Sequence, residues 1–206
     1  MKEEILNTIT RRYPDAGKSL LKIARETKDT DTEWFAIRGI GSLKFKGASS
    51  FLRRSLFSES VFVRANSARA LGEIHDTAAE GDLIRLLRGE NDNGVIEQTS
   101  LALQMLGARQ ALPVLKAKAP QSVSAQTRGW IIGATEALGS KADVPFFASF
   151  LSDPNDKVAE AAAHAIEHFC GHDFGFPKVV GGLGGVPREA IKNAQSWWNT
   201  HQTGCK

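Results

Sequence analysis

Residues 61–87, VFVRANSARALGEIHDTAAEGDLIRLL, decide the fold. Two short amphipathic helices lie back to back in this stretch. Val61, Ala65, Ala68, Leu71 and Gly72 share one stripe of the first helix. Leu83, Ile84 and Leu87 share one of the second, and the turn falls near Asp76. Neither helix can bury its apolar face alone, so the hairpin must stack on copies of itself.

The copies are present. The paired apolar residues Leu20-Leu21, Phe51-Leu52, Leu83-Ile84, Val114-Leu115 and Phe146-Phe147 recur at separations of 31, 32, 31 and 32. Pro113 and Pro145 precede two of these pairs, where proline is tolerated in a first helical turn. In the first helices, Leu43, Leu71, Leu106, Leu138 and Ile166 form a looser column at separations of 28, 35, 32 and 28. RALG at 69–72, QMLG at 104–107 and EALG at 136–139 surround it, and their glycines suit left-handed C-terminal caps. The spacing predicts helices at about 2–12, 16–28, 31–43, 47–57, 60–72, 78–88, 94–106, 110–119, 123–138, 142–152, 155–169 and 188–201. No run alternates at period two, so no strand is expected.

These residues resemble the HEAT-like repeat family, in particular the short repeats named after phycobilin lyases. The pattern V-R-x-x-A-x-x-A-L-G is met by Val63, Arg64, an offset Ala65/Ala68 pair, Ala70, Leu71 and Gly72. The resemblance covers roughly residues 15–170. The third unit departs from the pattern, with Glu97, Gln98 and Thr99 near the usual Val-Arg. The resemblance implies an all-α fold, a right-handed α-solenoid of about five helical hairpins with a C-terminal helical cap. Residues 1–170 would form the solenoid. Residues 171–206 would form a Gly-rich connector and a capping helix packed on the same domain, with Ile191, Ala194, Trp197 and Trp198 covering the end of the stack.

Composition is ordinary for a soluble chain of 206 residues, with 42% hydrophobic and 24% charged residues. No stretch approaches the roughly 20 apolar residues needed to span a bilayer, and the amphipathic N-terminus has no signal core. A cytoplasmic location is expected. Cys170 and Cys205 are too few for a disulfide framework and are expected to be reduced thiols without a catalytic base. The net charge of +3 is uneven: residues 1–69 carry +6 and the rest −3. That asymmetry points the N-terminal part toward something acidic.

The residue after each apolar pair reads Lys22, Arg53, Arg85, Lys116 and Ala148. It lies about 200° from the first apolar residue and so faces away from the core. In the HEAT family the second helices line the concave surface, so the resemblance places the four cations along a groove. Arg54 and Arg88 would widen the stripe. The function expected is therefore a non-enzymatic scaffold without cofactor, gripping a protein partner with an acidic surface. It would act as an inhibitor, an immunity protein against a toxin domain, or an assembly adaptor. Nucleic-acid binding along the same stripe is the alternative, with Trp34 and Trp130 as stacking candidates. A bilin-lyase-like enzyme subunit is a second alternative that the resemblance implies.

Other motifs carry less. His164 and His168 share a helix face in an H-x-x-E-H pattern and are weak metal candidates, because no third ligand is identifiable. Gly17-Lys18-Ser19 lacks the earlier glycine of a phosphate-binding loop, Arg12 standing in its place. The glycines at 181, 182, 184 and 185 follow no strand and read as a connector.

Overall fold

The computed structural model describes residue 13, residues 15–176, residues 188–202 and residue 205. Among them there are eleven α-helices and no strand. They are α1 (Ala16–Glu26), α2 (Thr30–Ser42), α3 (Ser49–Ser55), α4 (Val61–Glu73), α5 (Glu80–Gly89), α6 (Asn93–Leu106), α7 (Leu112–Lys118), α8 (Ala125–Leu138), α9 (Val144–Ala148), α10 (Asp156–Cys170) and α11 (Arg188–Thr200). The helix expected at 2–12 lies outside the described residues, as does most of the expected connector. No described helix is long and apolar enough to cross a membrane.

The array is an all-α solenoid of helical pairs, and local chemistry sets its register. Each first helix begins on a side chain that accepts from a backbone N–H of the first turn: Asp29, Ser60, Asp92, Ser124 and Asn155. Counted from these caps, the fully buried column is Ile40, Leu71, Leu103, Thr135 and Ile166, at separations of 31, 32, 32 and 31. This corrects the looser column. Leu43 caps α2 and Leu106 is only half-buried, so neither is the equivalent of Leu71. Thr135 occupies an apolar site because its hydroxyl donates to the Ile131 carbonyl at 2.8 Å.

Contacts divide the chain into residues 1–114 and 115–206. In the first unit α2, α4 and α6 pack side by side, while α1, α3 and α5 each pack on the first helix beside them. The helix α4 is therefore buried on more than one side. Val63, Ser67, Ala68, Ala70, Leu71 and Gly72 are buried, whereas Val61 and Ala65 of the expected stripe are half-exposed. Gly72 serves close approach rather than capping: a Cβ there would lie 2.9 Å from the Ala102 Cα and the Met105 Sδ. Left-handed backbone after α2 and α4 is taken by Lys44 and His75 instead, while Gly107 does cap α6 at φ 66°. Gly139 is extended.

In the second unit α8, α9 and α11 each pack on α10. The helix α11 buries Ala190, Ile191 and Ala194. Trp197 lies 5.6 Å from the His172 ring, 5.7 Å from Phe174 and 4.5 Å from His201, ring centre to ring centre. The return of α11 along α10 overturns the expectation of free thiols. Cys170, the last residue of α10, is joined to Cys205 by a disulfide, with 5.1 Å between Cα atoms. Two cysteines 35 residues apart meet only because the intervening chain doubles back.

Candidate functional site

The expected column of cations resolves into distinct local sites, and the fullest is in the first unit. Helix α3 supplies Arg53 and Arg54, Phe57 follows it, and α5 supplies Asp82 and Arg85. Arg53 donates from Nε to the Asp82 Oδ2 at 2.7 Å, and Arg85 donates from Nη2 to Oδ1 at 3.2 Å. The Arg85 guanidinium carbon sits 4.2 Å from the centre of the Phe57 ring, within cation–π range. The hydrogen bond and charge of Asp82 hold the Arg53 guanidinium above its usual basicity. Together with Ser50, these side chains line a pocket of 320 Å³. Three of the six expected site residues, Arg53, Arg54 and Arg85, therefore share one cavity. Lys22 and Arg88 are exposed and do not line it.

Lys116 belongs to the second unit and is committed to a structural pair. Its Nζ donates at 2.7 Å to Oδ1 of Asp143, whose Oδ2 accepts from the Ser140 backbone N–H. Burial pushes the Asp143 carboxyl up, but these bonds outweigh it and hold the group below its usual range. Ala148, next in the column, is buried. Two of the four cations in the column, Arg53 and Lys116, thus bridge successive helical pairs. Asp82 and Phe57 were not singled out in the sequence. The available signal was Asp82 three residues before Arg85, the i,i+3 spacing of a helical ion pair.

A second surface lies on α1 and α2. Leu20, Ile23, Asp31, Thr32, Phe35 and Ala36 line a cavity of 480 Å³. Trp34 stacks on Phe35 with centroids 4.0 Å apart and on Phe62 at 6.0 Å, and its Nε1 donates to Asp31. Phe35 and Phe62 are about 60% exposed, so aromatic surface faces outward here. Trp130 is exposed on α8. Of the metal candidates, His168 uses Nδ1 on Glu136 at 2.9 Å, and the His164 ring lies tilted against Phe176 with ring centres 3.9 Å apart. Among the described residues no three His, Cys, Asp or Glu side chains are grouped to hold a metal.

Residues 17–104 match the family described as HEAT repeats. Over those residues the chain is similar to HEAT-repeat proteins. The chain is 30% identical over 159 residues to the phycocyanobilin lyase subunit alpha of Picosynechococcus sp.. The match covers 73% of the chain and 56% of the relative, so the chain spans a little over half the length of that curated relative. Among solved structures it is similar to the complex of CpcE and CpcF of phycocyanin lyase from Nostoc sp. PCC7120. That match has a TM-score of 0.66 at 24% identity, over 76% of this chain and 65% of the other. It is also similar to the crystal structure of an engineered protein, with a TM-score of 0.59 at 16% identity, over 90% of this chain and 97% of the other. Both structural likenesses concern the fold alone.

The lyase-subunit relative corrects the functional expectation. The non-enzymatic scaffold acting as inhibitor, immunity protein or adaptor does not stand, and neither does the nucleic-acid alternative. The charge column suggested them, yet two of its four cations, Arg53 and Lys116, are held in bridges between helical pairs.

Proposed function

We propose that the chain is a subunit of a bilin-lyase-type assembly, working with a second protein chain to handle an open-chain tetrapyrrole during its attachment to, or removal from, an acceptor protein. The observation that carries this reading is the 30% identity over 159 residues to a phycocyanobilin lyase subunit. Two features of the chain support it. The outward-facing Trp34, Phe35 and Phe62 offer stacking surface to a conjugated ligand, and the arginine-lined pocket offers charge to an acidic one.

The test is a spectral titration of the purified chain with phycocyanobilin. Binding shifts and sharpens the visible absorption band of the bilin, and pigment travels with the protein through gel filtration. An unchanged spectrum at micromolar concentrations, with pigment and protein eluting apart, overturns the proposal.

A further inference from the structure

The pocket between α3 and α5 contains more positive charge than its structural task requires. One cation and one carboxylate suffice to bridge successive helical pairs, as Lys116 and Asp143 show in the second unit. The pocket lining has three guanidinium groups for one carboxylate, a formal surplus of two within the lining, with the Asp76 charge also acting on Arg53 from outside it. Arg53 and Arg85 spend one N–H each on Asp82, out of five available per guanidinium. Arg54 is exposed, and its side chain makes no hydrogen bond or ion pair among the described residues. Phe57, 45% exposed, provides an apolar wall with the Arg85 guanidinium carbon 4.2 Å from its ring centre.

We infer that this pocket is a carboxylate site that takes a propionate arm of an open-chain tetrapyrrole, an inference that rests on the bilin reading above. Planar guanidinium forks match a carboxylate through paired N–H donors, which a solitary ammonium cannot do. Pinning by Asp82 and stacking on Phe57 fix Arg53 and Arg85 before the ligand arrives, so little side-chain freedom is lost on binding. A volume of 320 Å³ is at the small end of ligand pockets. It accommodates one ring with its acid arm, leaving the remainder of the conjugated chain outside.

The experiment compares biliverdin with its dimethyl ester in spectral titrations of the full chain. The wild-type chain binds the free acid about tenfold more tightly than the ester, the order of one charge-assisted pair of hydrogen bonds. Arg54→Gln, which removes no hydrogen bond or ion pair of the fold, lowers acid affinity severalfold. Arg54→Gln combined with Arg85→Gln brings the acid down to the ester, and Arg54→Lys, which keeps the charge but loses the fork, restores only part of the preference. Ester affinity is the same throughout. Equal binding of acid and ester by the wild-type chain overturns the carboxylate site and leaves the bilin reading standing. So does unchanged acid affinity in Arg54→Gln. Failure of both pigments to bind overturns the bilin reading and this site with it.

Discussion

Arg128 and Asp153 form a two-point ion pair, with Nε on Oδ2 at 2.7 Å and Nη2 on Oδ1 at 2.8 Å. The remaining nitrogen, Nη1, donates to the carbonyls of Ser122 and Val123. One side chain thereby ties the start of α8 to the turn before it and to the turn before α10. Arg64 repeats the arrangement in the first unit, joining Glu90 to the carbonyls of Ser58 and Glu59. Both arginines stand four residues after their helix cap, Ser60 or Ser124. The shared geometry of the two clamps is thus a property of alternate repeats.

Truncating either arginine leaves a carboxylate with almost no access to water. The Arg128 and Asp153 side chains are 12% and 6% exposed. Arg128→Ala is expected to cost about 3 kcal/mol in urea unfolding, the scale of a broken buried pair. Arg128→Met with Asp153→Leu should recover most of that loss, because no charge is left stranded. Arg188→Ala, removing an exposed partner of Asp156, should change stability by less than about 1 kcal/mol. Equal effects for Arg128→Ala and Arg188→Ala would show that the clamp is ornamental.

Close approach of first helices gives a second contrast, between two glycines that both lie inside helices. Gly72→Ala drives a methyl group into the backbone of α6 at Ala102 and is expected to destabilise by about 1–3 kcal/mol. Gly133→Ala meets nothing within 4 Å and should stabilise by about 0.5–1 kcal/mol through helix propensity alone. Denaturation midpoints moving in the same direction for both would contradict the packing of α4 on α6.

The pairing of helices was legible in the sequence because apolar pairs recurring near a 31-residue spacing require a stacked hairpin to bury each of them. Leu83 and Leu87 are buried as expected. The first helices were harder to read. A helix packed on more than one side, such as α4, buries Val63, Ser67 and Ala70 as well as Ala68 and Leu71, so no single stripe marks its register. The cap residues Asp29, Ser60, Asp92, Ser124 and Asn155 were the better ruler. At the site, the periodic cations were visible, but the acids that hold them were not. Asp82 and Asp143 bridge to the preceding pair from different positions in their own units, so no fixed spacing announces them.

Acid should loosen the chain in a defined window. Burial pushes the Glu90 carboxyl up, but Arg64 and the backbone N–H groups of Asp92 and Asn91 outweigh it and hold the group below its usual range. Asp143 is lowered in the same way. A carboxyl whose folded pKa is depressed contributes stability above its unfolded value, about 4.3 for Glu and 3.9 for Asp. That contribution is lost as pH falls through the depressed folded values. Glu33, raised by burial, acts in the opposite direction and trims the loss. The urea midpoint is therefore expected to fall steadily below about pH 4 as these carboxylates protonate. Glu90→Gln should lower it at neutral pH and flatten the acid limb. A Glu90→Gln profile parallel to the wild type would exclude Glu90 as a contributor.

The disulfide makes the last prediction, because it anchors the residues beyond α11 to the end of α10. Cys170 and Cys205 close a loop of 35 residues. In the chain-entropy picture, constraint of the unfolded state by a loop of that size is worth roughly 3–4 kcal/mol. Other contacts of α11 survive reduction: Gln195 donates to the Leu151 carbonyl at 2.6 Å, and Asn193 to the Phe174 carbonyl at 3.0 Å. Reduction should therefore lower the melting temperature without unfolding the chain at 25 °C, and should open the C-terminal end to proteolysis before the rest. Cys170→Ser with Cys205→Ser should melt like the reduced wild type. Thiol titration of the denatured, unreduced chain should detect no free thiol, rising to two after reduction. Two reactive thiols before reduction would mean that the two sulfurs are not joined.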